Sequence, residues 1–200
     1  MSCLSYHEKN FKKKFILMSS GTWFVFFHPF IKKQNSDFYY SLNFDKKKIT
    51  TFRYPGGILF KKFIKKNFYK EKKISLINKI ISNNDFLSLN SKKNNKKYYY
   101  HLFMIYLTLK TYDLLMKLGN IKYPIIVDGI MSKNQLFLTM LSSLISKKKI
   151  YKSNDIHGVA KGMLLKKVVI KPNNYTVVKK DVELGKKLMQ YYKINMVEFN

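Results

Sequence analysis

The stretch from Pro124 to Asn134 limits the possible folds of this chain more than any other. Its first four residues are apolar, and three of them are β-branched, which predicts a short buried strand. Asp128-Gly129 ends that strand, because glycine reaches backbone angles that a Cβ atom forbids. Ser132 or Asn134 can cap the next segment, residues 136–145, whose apolar residues recur at helical spacing. A strand, a glycine turn and a helix in this order predict an α/β fold with free backbone N–H groups at the strand end, where such sheets bind anions.

A second turn lies near the start of the chain. Two apolar segments, Phe15–Met18 and Trp23–Phe27, predict strands, and the small residues of Ser19–Thr22 predict a tight turn between them. Such a turn lets backbone N–H groups and hydroxyls approach a phosphate, with Gly21 removing the steric obstacle. A plain β-hairpin is the alternative interpretation of the same pattern.

The rest of the chain alternates predicted strands, helices and polar loops. Residues 1–14 are polar and basic and show no period, which predicts a chain that begins mid-fold or is frayed at its start. Residues 82–97 predict a surface loop, and residues 173–182 predict a linker. Further strands are predicted at 38–44, 48–53 and 149–151. Helices are predicted at 58–81, with a break near 69–73, and at 98–118, 154–165 and 182–192. The helix at 98–118 would end with a C-cap at Gly119-Asn120, and Asn154 or Asp155 would cap the helix at 154–165.

Composition narrows the class of protein. The formal net charge of +28 favours nucleic-acid or anionic-membrane partners in principle. The lysines nevertheless form scattered runs, and they accompany an excess of Asn, Ile, Phe and Tyr, which is typical of an AT-rich genome. We therefore expect a solvated basic surface, with no membrane partner and no specific nucleic-acid site. No apolar run reaches the roughly 20 residues of a membrane helix, and the single Cys3 indicates a reducing, cytoplasmic setting.

The sequence predicts no metal site. The four histidines lie far apart, and none is paired with Cys or Glu at a spacing usual for metal ligands. His101, at the start of a predicted helix, is expected to be structural. Walker, Rossmann and nucleophile-elbow motifs are all absent.

Both turns resemble motifs of the FGGY family of carbohydrate kinases. Residues 127–134, Val-Asp-Gly-Ile-Met-Ser-Lys-Asn, resemble the family's adenosine-binding turn, Asp-Gly-Gly followed by Ser/Thr-x-Asn, with Ile130 in place of the second glycine. Residues 15–23, Phe-Ile-Leu-Met-Ser-Ser-Gly-Thr-Trp, resemble the Ser-(Ser/Thr)-Gly-Thr-Trp hairpin of the rhamnulokinase-like and xylulokinase-like branch, which faces the terminal phosphates of ATP.

The resemblance implies a fold, a reaction and a set of ligand contacts. The fold would be an α/β, actin/hexokinase-like (ribonuclease H-like) ATPase domain, the second half of a sugar kinase, at residues 15–170. A frayed basic start, 1–14, would precede it, and a linker with a terminal amphipathic helix, 171–200, would follow. The reaction would be ATP-dependent phosphorylation of a sugar or polyol hydroxyl, with ATP and Mg²⁺ as cofactors. Phosphates would contact Ser20, Gly21 and Thr22, and adenosine would contact Gly129, Ile130 and Asn134.

The resemblance also implies what this chain lacks. The family's catalytic Asp follows a His shortly before the hairpin, where this chain offers only Glu8, so no catalytic residue is assigned. The family's first domain, with its sugar-binding residues, has no counterpart. A truncated, degenerate kinase domain that needs a separate N-terminal domain is therefore expected. Two alternatives stay open: a decayed remnant without activity, and a lysine-rich nucleic-acid-binding protein.

Overall fold

The computed structural model describes residues 2–30, 39–42, 47–63, 73–85, 96–119, 121–154, 158–164 and 174–195. Within these ranges the strands are β1 (Ile16–Ser20), β2 (Phe24–His28), β3 (Tyr39–Leu42), β4 (Lys48–Tyr54), β5 (Ile125–Gly129), β6 (Ile150–Ser153) and β7 (Tyr175–Val177). The helices are α1 (Ser2–Asn10), α2 (Gly56–Phe63), α3 (Ile74–Ser82), α4 (Lys96–Lys117), α5 (Gln135–Leu144), α6 (Gly158–Leu164) and α7 (Val182–Ile194). A short 3₁₀ helix, Ile130–Lys133, joins β5 to α5.

All the described strands belong to one mixed sheet, in the order β3-β4-β2-β1-β5-β6-β7. β1, β5 and β6 run parallel to one another, whereas β2, β3, β4 and β7 pair antiparallel with their neighbours. β1 therefore has an antiparallel neighbour, β2, on one side and a parallel neighbour, β5, on the other. The connection from β5 to β6 runs through α5, as parallel neighbours require a crossover.

The sheet separates two apolar layers, because successive residues of a strand point to opposite faces. On one face, Met18 and Val127 pack into the main core with residues of α3, α4, α5 and α7. On the other face, Leu17 and Ile126 pack into a smaller cluster with Cys3 and Leu4 of α1. The layered α/β fold predicted from the sequence is confirmed, and so are the two strands that carry the candidate turns.

The amino-terminal segment corrects one expectation. Residues 1–14 were expected to begin mid-fold or to be frayed. The frayed start is wrong, because Ser2–Asn10 form a helix whose Cys3, Leu4, Tyr6 and His7 are buried. This helix packs against α6 on the smaller face of the sheet. Its buried residues include a histidine and do not follow a clean apolar period, so the pattern alone did not predict a helix.

The carboxyl-terminal part also holds more structure than expected. β7 lies inside the predicted linker at 173–182 and pairs antiparallel with β6. α7 was predicted at nearly its observed bounds, and its Leu184, Leu188 and Tyr191 belong to the main core. The terminal helix is thus packed into the same unit as the sheet.

Several other predictions can be compared directly. The helix predicted at 98–118 is α4, and Gly119 after it has φ 108°, as a helix-ending glycine requires. The segment 58–81 gives α2 and α3, and the break near 69–73 lies largely outside the described residues, as do the predicted caps at Asn120 and Asp155. None of the described helices is long and apolar enough to cross a membrane.

Candidate functional site

The two predicted turns lie side by side at one edge of the sheet. β1 and β5 are parallel neighbours, and their register sets Ser20 opposite Gly129. The turn after β1 and the turn after β5 therefore begin at the same level, at the carboxyl ends of adjacent strands. Open α/β sheets bind their ligands at this edge.

The Ser20 hydroxyl connects the two turns. It donates a hydrogen bond to the backbone carbonyl of Asp128 and accepts one from the Met131 N–H, at 2.9 Å. The side chain is buried. Ser20 was predicted to contact a phosphate, but in this structure its hydroxyl is engaged inside the protein and fixes the spacing between the turns.

The first turn, Gly21–Trp23, is open to solvent. All three residues are exposed, and a Cβ atom placed on Gly21 would meet no atom of the described residues within 4 Å. The Gly21 N–H donates to the Trp23 carbonyl at 3.1 Å, which closes the turn. Gly21 and Thr22, both predicted to face phosphates, thus lie where a ligand can reach them.

The first turn rests on the start of α2. The Ile58 N–H donates to the Thr22 carbonyl at 3.0 Å, and a Cβ atom on Gly57 would lie 1.8 Å from the Gly21 carbonyl oxygen. Only glycine allows this approach. The doublet Gly56-Gly57 is visible in the sequence, but its contact with the first turn depends on the fold.

The second turn is closed by its own contacts. Gly129 has φ 81°, and a Cβ atom there would lie 2.3 Å from the Ser20 carbonyl oxygen. The Ser132 hydroxyl donates to the Gly129 carbonyl at 2.8 Å. Gly129 and Ile130 are partly exposed, so they remain the accessible members of the predicted adenosine set.

Asn134 acts as the N-cap of α5. Its Oδ1 accepts a hydrogen bond from the Phe137 N–H at 3.0 Å, which settles the choice between Ser132 and Asn134 as the cap. Its Nδ2 donates to the Tyr100 hydroxyl at 3.2 Å. The side chain is buried, so the amide predicted to face adenosine is here part of the scaffold.

A positive charge lies beside the first turn. Arg53, the only arginine of the chain, extends from β4, and its guanidinium carbon lies 5.4 Å from the ring centroid of Trp23 and 5.3 Å from that of Tyr39. Stacking on two rings orients the guanidinium. The sequence alone did not assign Arg53 to the site, because it lies 30 residues beyond the turn.

Asp128 does not point into the opening between the turns. Its carboxylate accepts a hydrogen bond from the Cys3 thiol, at 3.0 Å, and lies 3.7 Å from Nε2 of His7. Burial acts to raise the pKa of this carboxyl, but contacts with His7, Cys3 and Ser153 outweigh it and hold the pKa below its ordinary value. Asp128 is thus a buried carboxylate of the scaffold, facing α1.

This cluster corrects the expectation that no histidine is paired with Cys or Glu at a spacing usual for metal ligands. Cys3 and His7 are four residues apart, a spacing that brings two side chains together on one face of a helix. Their donor atoms and that of Asp128 all lie within 4.8 Å of one another. The i, i+4 spacing was visible in the sequence, whereas the approach of Asp128, 121 residues after His7, required the fold.

Comparison with known proteins supports a kinase fold. Residues 82–174 match the sequence model of "Carbohydrate kinase FGGY, C-terminal domain". No protein among curated sequences matches the chain. A carbohydrate kinase from Novosphingobium aromaticivorans is 14% identical with a TM-score of 0.74, and the match covers 100% of this chain and 50% of that one.

Other solved kinases share the fold at lower similarity. A xylulose kinase from Rhodospirillum rubrum is 7% identical, with a TM-score of 0.59 over 99% of this chain and 49% of its own. A glycerol kinase from Plasmodium falciparum, solved with ADP, is 12% identical, with a TM-score of 0.55 over the same shares. This chain spans about half the length of these structures.

The family match begins before α4 and ends just before β7, so it includes the second turn, while the structural matches extend over the first turn as well. The mixed sheet and its flanking helices form the actin/hexokinase-like ATPase fold of these domains. Residues 82–174 thus match the C-terminal domain of FGGY carbohydrate kinases, and the described sheet and helices share the fold of the solved kinases.

Proposed function

We propose that this chain is the nucleotide-binding half of an ATP-dependent carbohydrate kinase. The observation that carries the proposal is the register of β1 and β5, which sets Ser20 opposite Gly129 and brings both candidate turns to one sheet edge. Phosphates of ATP would lie over the exposed turn of Gly21 and Thr22, and adenosine would lie over Gly129 and Ile130. Each half of the nucleotide then meets a different turn of the same edge.

The charges near the first turn suit a phosphate chain. Arg53 holds a guanidinium beside Trp23, and the chain as a whole is strongly basic. Guanidinium groups and exposed backbone N–H groups are the usual partners of phosphate oxygens. Mg²⁺ would enter with the nucleotide, since this ion is usually held through substrate phosphates and few protein ligands.

The chemical step requires groups from a first domain. Phosphoryl transfer to a sugar hydroxyl uses a carboxylate that accepts the hydroxyl proton. Asp128 faces α1 and is held by Cys3, so it is not placed for that role. We propose that the base and the sugar-binding residues come from a first domain, and that the acceptor is a sugar or polyol.

Nucleotide binding tests this proposal. Titration calorimetry with a non-hydrolysable ATP analogue and Mg²⁺ should show binding to the chain. Gly21→Trp should weaken that binding at least about tenfold, because an indole would fill the space over the first turn. The Gly21 position has room for added atoms, so the fold should survive, as circular dichroism would check.

A matched control adds the same indole elsewhere. Val182→Trp changes a residue that is 58% exposed on α7, and it should leave binding of the analogue unchanged. Equal binding by Gly21→Trp and the parent chain would contradict the assignment of the first turn. A folded chain that does not bind the analogue would favour a decayed remnant.

Nucleic-acid binding is the competing function, and salt dependence separates the two. Binding to duplex DNA that falls steeply with salt and does not respond to ATP would favour it. Exposed lysines lie on separate elements, such as Lys61 and Lys62 on α2 and Lys147 and Lys149 after α5. This distribution supports a diffuse basic surface and not a specific nucleic-acid site.

A further inference from the structure

The cluster of Cys3, His7 and Asp128 combines three donor types on two elements. Cys3 and His7 lie on one face of α1, and Asp128 comes from the end of β5. All three side chains are buried. A thiol, an imidazole and a carboxylate around one point are the ligands that borderline divalent ions such as Zn²⁺ take in proteins.

The distances between the donor atoms are close to those of a metal site. In a tetrahedral Zn²⁺ site, bonds of about 2.0–2.3 Å place the ligand atoms about 3.3–3.6 Å apart. Here Sγ of Cys3 lies 3.0 Å from Oδ2 of Asp128, and Nε2 of His7 lies 3.7 Å from the same oxygen. Both distances differ from these values by about half an ångström or less, and the third separation, from Sγ to Nε2, is at most 4.8 Å.

Two of these side chains carry atoms without hydrogen bonds. Nε2 of His7 and Oδ1 of Asp128 are buried and have no hydrogen-bond partner among the described residues. Buried polar atoms without a partner reduce stability unless a water molecule or an ion binds to them. The other ring nitrogen of His7 is hydrogen-bonded to the Tyr175 hydroxyl at 2.8 Å, which orients Nε2 towards the carboxylate. Such a partner is typical of a metal-binding histidine.

A glycine leaves room beside the three donors. A Cβ atom on Gly158 would lie 2.8 Å from Oδ2 of Asp128, 3.2 Å from Sγ of Cys3 and 3.3 Å from Nε2 of His7. The three donor atoms thus surround one small volume next to the start of α6. Three protein ligands beside such a space match a site whose fourth position is open to water.

We propose that Cys3, His7 and Asp128 bind one Zn²⁺-type divalent ion. The metal would tie α1 to the end of β5, directly behind the second turn, since Asp128 immediately precedes Gly129. Binding would release the thiol proton to solvent and leave a thiolate ligand. The soft sulfur ligand distinguishes this site from a Mg²⁺ site, which uses oxygen ligands. The inference goes beyond nucleotide binding and does not depend on it.

Cobalt spectroscopy on the purified, reduced chain tests this site without any nucleotide. Co²⁺ should bind one per chain and give thiolate-to-cobalt charge-transfer absorption with intense visible bands of tetrahedral coordination, and Zn²⁺ should displace it. The net charge of +28 disfavours loose surface binding of cations, so a saturable signal identifies a built site. Absence of charge-transfer absorption in the parent chain would overturn the proposal. The space between the three donor atoms would then hold no metal ion.

Variants identify the ligands. Cys3→Ser should abolish the charge-transfer absorption, and Zn²⁺ should raise the Tm of the parent but not of this variant. Ser5→Ala, on the same helix and outside the cluster, should retain both responses. Tyr175→Phe should lower the Zn²⁺ affinity at least about tenfold, because His7 loses its orienting hydroxyl. Unchanged absorption in Cys3→Ser would assign the metal to other residues.

Discussion

The two turns at the sheet edge share a level but differ in construction. In the first turn, Gly21 and Thr22 are exposed, and the position of Gly21 has open space around it. In the second turn, Gly129 lies against the Ser20 carbonyl, and Asn134 is buried as a helix cap. The difference indicates that the two turns have different roles. The second turn sets the geometry of the sheet edge at β1 and β5, and the first turn exposes its backbone to a ligand.

The glycines of the two turns are therefore not equivalent. Gly129 is needed for its backbone angles and for the close approach of β1, so its role is structural whatever binds there. Gly21 is needed only if a ligand approaches closely, because none of the described residues occupies the space of its missing side chain. Substitutions at the two positions should separate folding from binding.

Gly129→Ala should have the largest effect on stability. The added Cβ atom would lie 2.3 Å from the Ser20 carbonyl oxygen at a residue with φ 81°, so the free energy of unfolding should fall by about 3 kcal/mol or more. Urea unfolding followed by circular dichroism measures this. A loss below about 1 kcal/mol would mean that the β1–β5 edge adjusts more easily than the structure indicates.

Ser20→Ala should have the second largest effect. The change leaves the buried Met131 N–H without its acceptor and removes the bond to the Asp128 carbonyl, which should cost about 2 kcal/mol. Ser132→Ala is the matched control, since its hydroxyl makes one bond within the second turn and should cost about 1 kcal/mol. Equal losses in the two variants would contradict the bridging role of Ser20.

Lowering the pH should reduce the free energy of unfolding of the whole fold, and so affect both turns alike. Burial lowers the pKa of His28, at the end of β2 away from both turns, so the folded protein favours the neutral ring. The unfolded chain takes up a proton below about pH 6.5. Stability should therefore be fully present above that pH and fall as the pH is lowered towards the folded-state pKa, by at most about 1.4 kcal/mol per pH unit. His28→Leu should flatten this slope in urea unfolding at pH 5–8; an unchanged slope would assign it to other groups.

Gly21→Ala should have the smallest effect on stability. The free energy of unfolding should stay within about 0.5 kcal/mol of the parent, because the new methyl group meets no protein atom. Affinity for an ATP analogue should nonetheless fall, since backbone at this turn would no longer approach a phosphate. Calorimetry and urea unfolding on the same sample measure both. A clear loss of stability would show that the first turn is as constrained as the second.

The elements that were predicted best from the sequence are those specified by a local pattern of residues. The apolar β-branched run of β5, the long stripe of α4 and the small residues between β1 and β2 each specify an element from neighbouring residues alone. The family resemblance predicted in addition that both turns contact one nucleotide. Periodicity could not predict this, because it does not give the order of strands in the sheet.

The missed features depend on contacts between distant segments. α1 buries Cys3 and His7 only because α6 and Asp128 lie over it, and β7 forms because β6 offers an open edge. Likewise, the need for glycine at position 57 arises from the carbonyl of Gly21, 36 residues earlier. Such requirements belong to the tertiary structure, so propensity could not predict them.

The central position of β1 has a consequence for the order of events during synthesis. This strand pairs with β2 within a few residues, but its other neighbour, β5, lies 108 residues later at the Ser20–Asp128 bond. The hairpin can form while translation continues, whereas one edge of β1 stays unpaired until the ribosome has released β5. Such a delay exposes an apolar strand edge, so the nascent chain should depend on chaperone protection until its second half emerges.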